Sequence, residues 1–212
     1  MPTACVRDVA SARTAQLGAS VLIETRRFLL REFTTEDAPA FVAYHRDPRY
    51  AALYGPEAAE PNHLNRLVET FMAWAEEQPR LNYQLAVCHK AGLMPLIGCA
   101  GLRRAWSREG EAELGIELAP YAWGRYRYAV EITQALLDLG FSHLGLERVF
   151  GLTLSASESV RRLAEWFGAS VVETRLGPEW LQERGWMQVE WEVTPATWRD
   201  AARGSGDLWA EG

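Results

Sequence analysis

The chain has 212 residues and a formal net charge of −6, a length for one domain and a balance that excludes a general grip on nucleic-acid backbones, which needs a basic surface. Nearly half the residues are apolar (48%), enough for a sizeable core, yet no run of about 18 apolar residues exists to cross a membrane, and residues 1–20 lack the apolar stretch of a signal peptide. Cys5, Cys88 and Cys99 form no C-x-x-C pair and the histidines no ligand-like pair, which points to a metal-free protein of a reducing cytoplasm.

Residues 1–20 show no sustained period and read as a mobile leader. Ile23 to Phe33 predicts a first strand, with Phe28 and Leu30 alternating against Leu29 and Arg31. Thr34-Thr35-Glu36-Asp37 carries the hydroxyl cap and acidic first turn of a helix, which passes Phe41 and Tyr44 until Asp47-Pro48 breaks it. A loop rich in Pro, Ala and Glu (Gly55 to Asn62) leads to a second helix, His63 to Glu77, with Leu64, Val68 and Phe71 on one face. Three strands follow as a meander: Tyr83 to Cys88, a turn at Ala91-Gly92, Leu96 to Arg103, a polar turn, and Glu111 to Leu118. A helix from Arg127 to Leu139 ends at Gly140, a plausible left-handed cap. Glu147 to Leu154 is β-rich, and Ser155-Ala156-Ser157-Glu158 is a capping-box signature for a helix reaching Gly168. Val171 to Thr174 and Trp186 to Val193 close the pattern, joined by a loop carrying Gly177-Pro178 and Trp180. The domain is expected over residues 21–194, with 195–212 a tail outside the core. Helices segregated around a mostly antiparallel mixed sheet of about seven strands make an α+β layout rather than a doubly wound one.

The organising stretch is Glu113 to Glu131. Leu114, Ile116 and Leu118 suit a strand with one buried face, Pro120 ends it, and from Ala129 the apolar period turns helical. Between lie Trp123, Gly124, Arg125, Tyr126, Arg127 and Tyr128, where the free amides of a helix start meet two arginines. A helix N-terminus carries roughly half a positive charge, so this segment is suited to a phosphorylated ligand.

Four motifs in this order resemble the GNAT acetyl-CoA N-acetyltransferases, in particular the branch with the ribosomal-protein alanine acetyltransferases. They are ETRRFLLREFTTEDAPAF, IGCAGLR, ELGIELAPYAWGRYRYAVE and ERVFGLTLSASESVRRLAEWFGA, and the resemblance covers residues 22–194. The third is similar to the family pattern E-I-G-Y-x-L followed by W-G-x-G-Y-A-x-E. The resemblance implies a GNAT-like fold and acetyl-CoA as co-substrate, with Ile116, Glu117 and Leu118 along the pantetheine arm and residues 124–129 at the pyrophosphate. It also exposes departures. Arg127 stands where the family's second glycine is expected, in a loop one residue longer; Ser157 replaces an asparagine that orients the CoA arm; Ala164 replaces a tyrosine that protonates the departing thiolate.

The reaction so implied is direct attack of an amine on the thioester. An α-amino group, with a pKa of about 7.7–8.0, is neutral far more often at pH 7 than a lysine at about 10.4, which favours peptide N-termini or other weakly basic amines. Glu113 is the first candidate base, directly or through water, and Glu117, on the same strand face, the reserve. Ser157 or Ser159 is placed to hydrogen-bond the leaving sulfur or, alternatively, to cap the helix. Tyr83 is either core or acceptor wall, Trp123 packs the loop, and surface roles are expected for His45, His63, His89 and His143. Trp180, Trp186, Trp191 and Trp198 read as core or a homodimer contact before a ligand stack. A non-catalytic acyl-CoA-binding or interaction module stands as the alternative. No nucleic-acid or membrane partner is expected.

Overall fold

The computed structural model describes residues 13–17, 20–53, 59–91 and 96–204. Cys5, most of the leader, loop residues 55–58, Gly92 and the tail from 205 onward lie outside the described residues. Nine strands form one sheet in the order β1-β2-β3-β4-β5-β6-β7-β9-β8. They are β1 (Arg13–Leu17), β2 (Ser20–Glu24), β3 (Phe28–Arg31), β4 (Asn82–His89), β5 (Leu96–Arg103), β6 (Glu111–Leu118), β7 (Arg148–Leu154), β8 (Ser170–Leu176) and β9 (Met187–Val193). The helices are α1 (Ala38–His45), α2 (Pro48–Ala51), α3 (Pro61–Glu76), α4 (Tyr126–Asp138), α5 (Glu158–Trp166), α6 (Glu179–Gln182) and α7 (Pro195–Gly204).

Several expectations are corrected. The single first strand is two, because Thr25 folds the chain into a turn: its amide donates to the Phe28 carbonyl (2.9 Å) and its hydroxyl accepts from the Phe28 amide (3.0 Å). The stretch read as a leader contributes β1, an edge strand antiparallel to β2. Asp47-Pro48 restarts a helix instead of ending one, since the Asp47 carboxylate accepts the Arg49 amide (2.9 Å) and proline suits the first helical position. Gly140 is not the left-handed cap: it lies in a π turn over Leu139–His143, and the positive φ falls at Gly145 (65°). Its hydrogen is needed for packing, because a Cβ there would approach Leu146 Cδ1 to 3.1 Å and Leu102 Cδ1 to 3.2 Å. Residues 195–204 form α7, whose Trp198 stacks on Phe141 at 5.4 Å instead of trailing outside the core.

The sheet is covered on both faces. On one, α4 and the π turn after it lay Ile132, Leu136 and Leu139 against Phe28, Leu30, Leu85 and Leu102. On the other, α1 and α3 bury Phe41, Leu64, Val68 and Phe71 against Phe33, Cys88 and Cys99. The helices α3 and α4 show why: their apolar residues recur at three and four, giving one stripe each.

One break in the sheet positions everything that follows. Among the described residues β6 and β7 are the one parallel pair, and they pair only at Glu111–Arg148, Ala112–Val149 and Glu113–Phe150. Beyond Glu113 the strands diverge. β6 stays bonded to β5 out to Leu118, and β7 turns to β9. Arg148 pins the closed end through Glu111 (3.2 Å), Glu190 (2.8 Å) and Glu192 (2.5 Å).

Candidate active site

The divergence of β6 and β7 opens a cleft of ≈ 720 Å³, adjoined by a smaller one of ≈ 320 Å³. Ile116, Glu117, Ser157, Ser159, Val160 and Leu163 border both, so α5 and the open half of β6 form a shared wall. The smaller cavity ends at Trp123, Gly124, Arg125 and Ala129, where α4 begins. The larger reaches the sheet face under α1 and α2, carrying Gln84, Cys99, Arg103 and Glu113.

The loop before α4 is built residue by residue. Trp123 Nε1 donates to the Leu118 carbonyl (2.7 Å), tying the loop back to the strand end. Gly124 has a φ of 77°, a left-handed conformation that a side chain would strain by ~1 kcal/mol. Arg125 occupies the position before the first helical residue, Tyr126, and its Nη1 donates to Tyr128 Oη (3.0 Å). The start of α4 is fixed from below by Glu131, which accepts from the Thr25 hydroxyl (2.6 Å), the Arg27 amide (2.7 Å) and Arg27 Nε (2.6 Å). Burial pushes the Glu131 carboxyl up, but the hydrogen bonds from Thr25 and Arg27 outweigh it and hold the pKa below the ordinary value.

Of the residues expected along the cofactor, Ile116, Glu117 and Leu118 border the smaller cavity, as do Trp123, Gly124, Arg125, Ala129 and Ser157. Tyr128 points elsewhere: its hydroxyl meets His89 Nε2 at 3.1 Å and its ring packs on Phe28. Arg127 is exposed within the first turn of the helix, and its carbonyl accepts from Arg27 Nη2 (2.7 Å). The position expected to need glycine is therefore ordinary helix, and the single left-handed residue of the loop is Gly124.

Ser157 stands at the N-cap of α5 without making a side-chain cap bond, so the expected capping function is absent. The signature Ser155 instead accepts the Met187 amide (2.9 Å), fastening α5's approach to β9, while Glu158 pairs with Arg161 and Arg162. Ala164 borders the larger cleft with its methyl. Tyr83 is buried core with Arg80 stacked over its ring at 4.4 Å.

Two carboxylates of β6, Glu113 and Glu117, face the same side and differ in surroundings. Glu113, where β6 and β7 part, is ion-paired to Arg103 Nη2 (2.8 Å). Gly115 makes room for that pair, since a Cβ there would lie 2.8 Å from Arg103 Nη2. Glu117 accepts from Tyr44 Oη (2.5 Å), Tyr50 Oη (2.6 Å) and Cys99 Sγ (3.2 Å), and lies 3.3 Å from His45 Nε2. His45 is buried, not on the surface as expected. Its Nδ1 sits 2.8 Å from the Phe41 carbonyl while its Nε2 faces Glu117. Burial pushes the Glu117 carboxyl up, yet the bond and charge of His45, then the tyrosine hydroxyls, hold its pKa at about 2. Burial and the Glu117 charge raise Tyr44 and Cys99 well above their usual values, keeping them as donors. Sequence reasoning missed this cluster. Its one visible signal was Glu117 itself, because the partners come from α1, α2 and β5. The late tryptophans also divide: Trp180, Trp186 and Trp191 border the cleft, while Trp198 is packed on the α4 side.

Residues 27–170 match the family described as the acetyltransferase (GNAT) domain. The chain belongs to the GNAT acetyltransferases. This GNAT protein is 29% identical over 143 residues to the uncharacterized N-acetyltransferase YoaA of Bacillus subtilis (strain 168), covering 67% of this chain and 78% of that one. Its fold is shared with a GNAT acetyltransferase from Bacillus anthracis (TM-score 0.65, 21% identity, 82% and 98% of the two chains). It is also shared with the spermidine N-acetyltransferase of Vibrio cholerae in complex with CoA and spermine (TM-score 0.67, 16% identity, 82% and 99%). These relationships make the chain an acyltransferase of a family that uses acetyl-CoA, rather than a non-catalytic module. Among the described residues no cluster could hold a metal ion, and no helix is long and apolar enough to cross a membrane.

Proposed function

We propose that this GNAT acyltransferase transfers the acetyl group of acetyl-CoA to a primary amine by direct attack. The observation that carries the reading is the pair of adjoining clefts that share the wall of α5 and the open half of β6, one ending at the start of α4 and the other bearing Glu113. Ile116, Glu117 and Leu118 would border the pantetheine arm, and Gly124, Arg125 and Ala129 the pyrophosphate, where a helix N-terminus and a guanidinium favour an anion. Bound there, acetyl-CoA supplies an activated acyl thioester.

The chain supplies position and proton transfer. Holding two reactants in register is worth several kcal/mol of barrier. Glu113, held by Arg103, is the carboxylate that takes the amine proton, directly or through water; a general base of this kind contributes typically ~10²–10⁴-fold. Glu117 is poorly suited to that task because both its oxygens are occupied and its pKa is about 2. It ties Tyr44, His45 and Tyr50 together behind the shared wall of the two clefts. Ser157, with its hydroxyl unused in capping, hydrogen-bonds the leaving sulfur, a role that Ala164 cannot fill.

A peptide α-amino group fits a site with one weak base, since it is neutral more often than a lysine. The ribosomal-protein branch is the corresponding assignment within the family, and a cytoplasmic location accords with the free thiols of Cys88 and Cys99. A thiol-release assay with acetyl-CoA across peptide N-termini, simple amines and polyamines tests the reading. Amine-dependent release above the hydrolysis rate supports it, and no release with any amine class overturns it.

A further inference from the structure

The acceptor end of the cleft has a composition that selects among amines. Every carboxylate bordering the larger cleft is already engaged. Glu113 is paired with Arg103, Glu158 with Arg161 and Arg162, and Glu117 with Tyr44, Tyr50, His45 and Cys99. The apolar part of the lining includes Leu53 beyond α2, and Trp180, Leu181 and Trp186 on the segment joining β8 to β9, while Gln84, Thr133, Thr153 and Gln188 add neutral polar groups. That segment crosses over the acceptor face and is fastened there. Arg184 Nη1 donates to the Ala52 carbonyl (2.6 Å), while its guanidinium lies 5.5 Å from the Trp180 ring and 5.1 Å from that of Trp186. Glu179 and Glu183, on and beside α6, are exposed and do not border the cleft.

We propose that the acceptor is an amine with a single cationic centre borne on an apolar or aromatic body, its body lodged between Trp180, Trp186 and Leu53. The proposal rests on the transfer reading above and narrows it. A polycation needs several uncommitted carboxylates, and this cleft offers none, while Arg184 places positive charge over its roof. An aromatic body gains from burial against indole faces. The same chemistry occurs in free arylalkylamines and in peptides with an apolar first residue.

The test compares kcat/KM for propylamine, phenethylamine, the dipeptide amides Phe-Gly-NH2 and Asp-Gly-NH2, and spermidine, in wild type and in Trp180→Ala, Trp180→Phe and Trp186→Ala. Phenethylamine or Phe-Gly-NH2 should exceed propylamine, Asp-Gly-NH2 and spermidine by about 10-fold or more, the size expected for burying a ring. Which of the two leads separates a free amine from a peptide N-terminus. Trp180→Ala should raise KM for the aromatic acceptor about 10-fold, erasing its advantage over propylamine, and Trp180→Phe should restore that advantage. Trp186→Ala provides the same contrast should Trp180→Ala fold poorly. Spermidine as the best acceptor, or equal KM values for propylamine and phenethylamine, would overturn the proposal and leave acetyl transfer standing. No turnover with any of them would overturn both.

Discussion

The two ends of the cleft are built in opposite ways. At the start of α4 the site is one continuous segment, Leu118 to Ala129, made by a strand end, one left-handed glycine and a helix N-terminus. At the acceptor end it is an assembly in which Glu117 draws together Tyr44, His45, Tyr50 and Cys99 from three other elements. The first uses backbone and position; the second uses side chains whose charge state is set by mutual contact. The cofactor end is expected to tolerate the loss of one side chain better than the acceptor end does.

The largest effect should come from the closed end of the fork. Glu113→Gln is expected to lower kcat by ~10²–10⁴-fold while leaving acetyl-CoA affinity unchanged, as seen by steady-state kinetics beside calorimetric titration. Unchanged turnover would remove Glu113 as the base.

Glu117→Gln should cost stability instead, ~1–3 kcal/mol in urea unfolding at pH 7, because four donors lose an ionised acceptor. The pH dependence sharpens the point. Glu117 is held at about 2, below its ordinary 4.5, so its contribution is complete above about pH 5 and disappears as pH falls toward 2. At most ~3 kcal/mol is at stake, at 1.36 kcal/mol per unit. The stability gap between wild type and Glu117→Gln should therefore narrow on acidification; a gap that stays constant would show that the carboxylate is not ionised in this cluster.

At the other end, Arg125→Ala should weaken CoA binding ~10-fold, about the worth of one charge-assisted bond. Arg127→Ala, whose side chain lies outside the cavity border, should change it less than ~3-fold. The reverse order would mean that the loop binds phosphate along a different path. Smallest of all, Ser157→Ala should leave unfolding free energy within ~0.5 kcal/mol, because no cap bond is lost, while kcat drops several-fold. A loss of stability near 1 kcal/mol without a change in kcat would return Ser157 to capping.

The same contrast explains what was legible in the sequence. Period and punctuation placed β5 and β6 at their observed bounds and α3, α4 and α5 close to theirs, since each signal lies within a dozen residues. The end of β6 and the start of α4 near Arg127 were legible for the same reason, while the longer loop expected through Arg127 was not, because Arg127 lies within the helix. The turn at Thr25 was not, because it depends on a side-chain hydroxyl folding back on Phe28 within an otherwise strand-like run. The π turn at Leu139–His143 was hidden behind a glycine whose place is set by Leu102 and Leu146, far away in the chain. His45 looked like a surface residue beside Arg46 and Asp47. Only the packing of α1 on the sheet turns its ring toward Glu117, 72 positions later. Trp180 and Trp186 became cleft walls only through the arginine that fastens their segment to Ala52.

The most direct test is thiol release by the full chain, with acetyl-CoA and phenethylamine or Phe-Gly-NH2, in wild type and Glu113→Gln. Saturable, amine-dependent release that falls at least about 100-fold in the variant, with CoA binding intact in both, is the predicted result. Release that is independent of amine, or equal in the two proteins, would contradict the assignment of the β6–β7 cleft as the site of transfer.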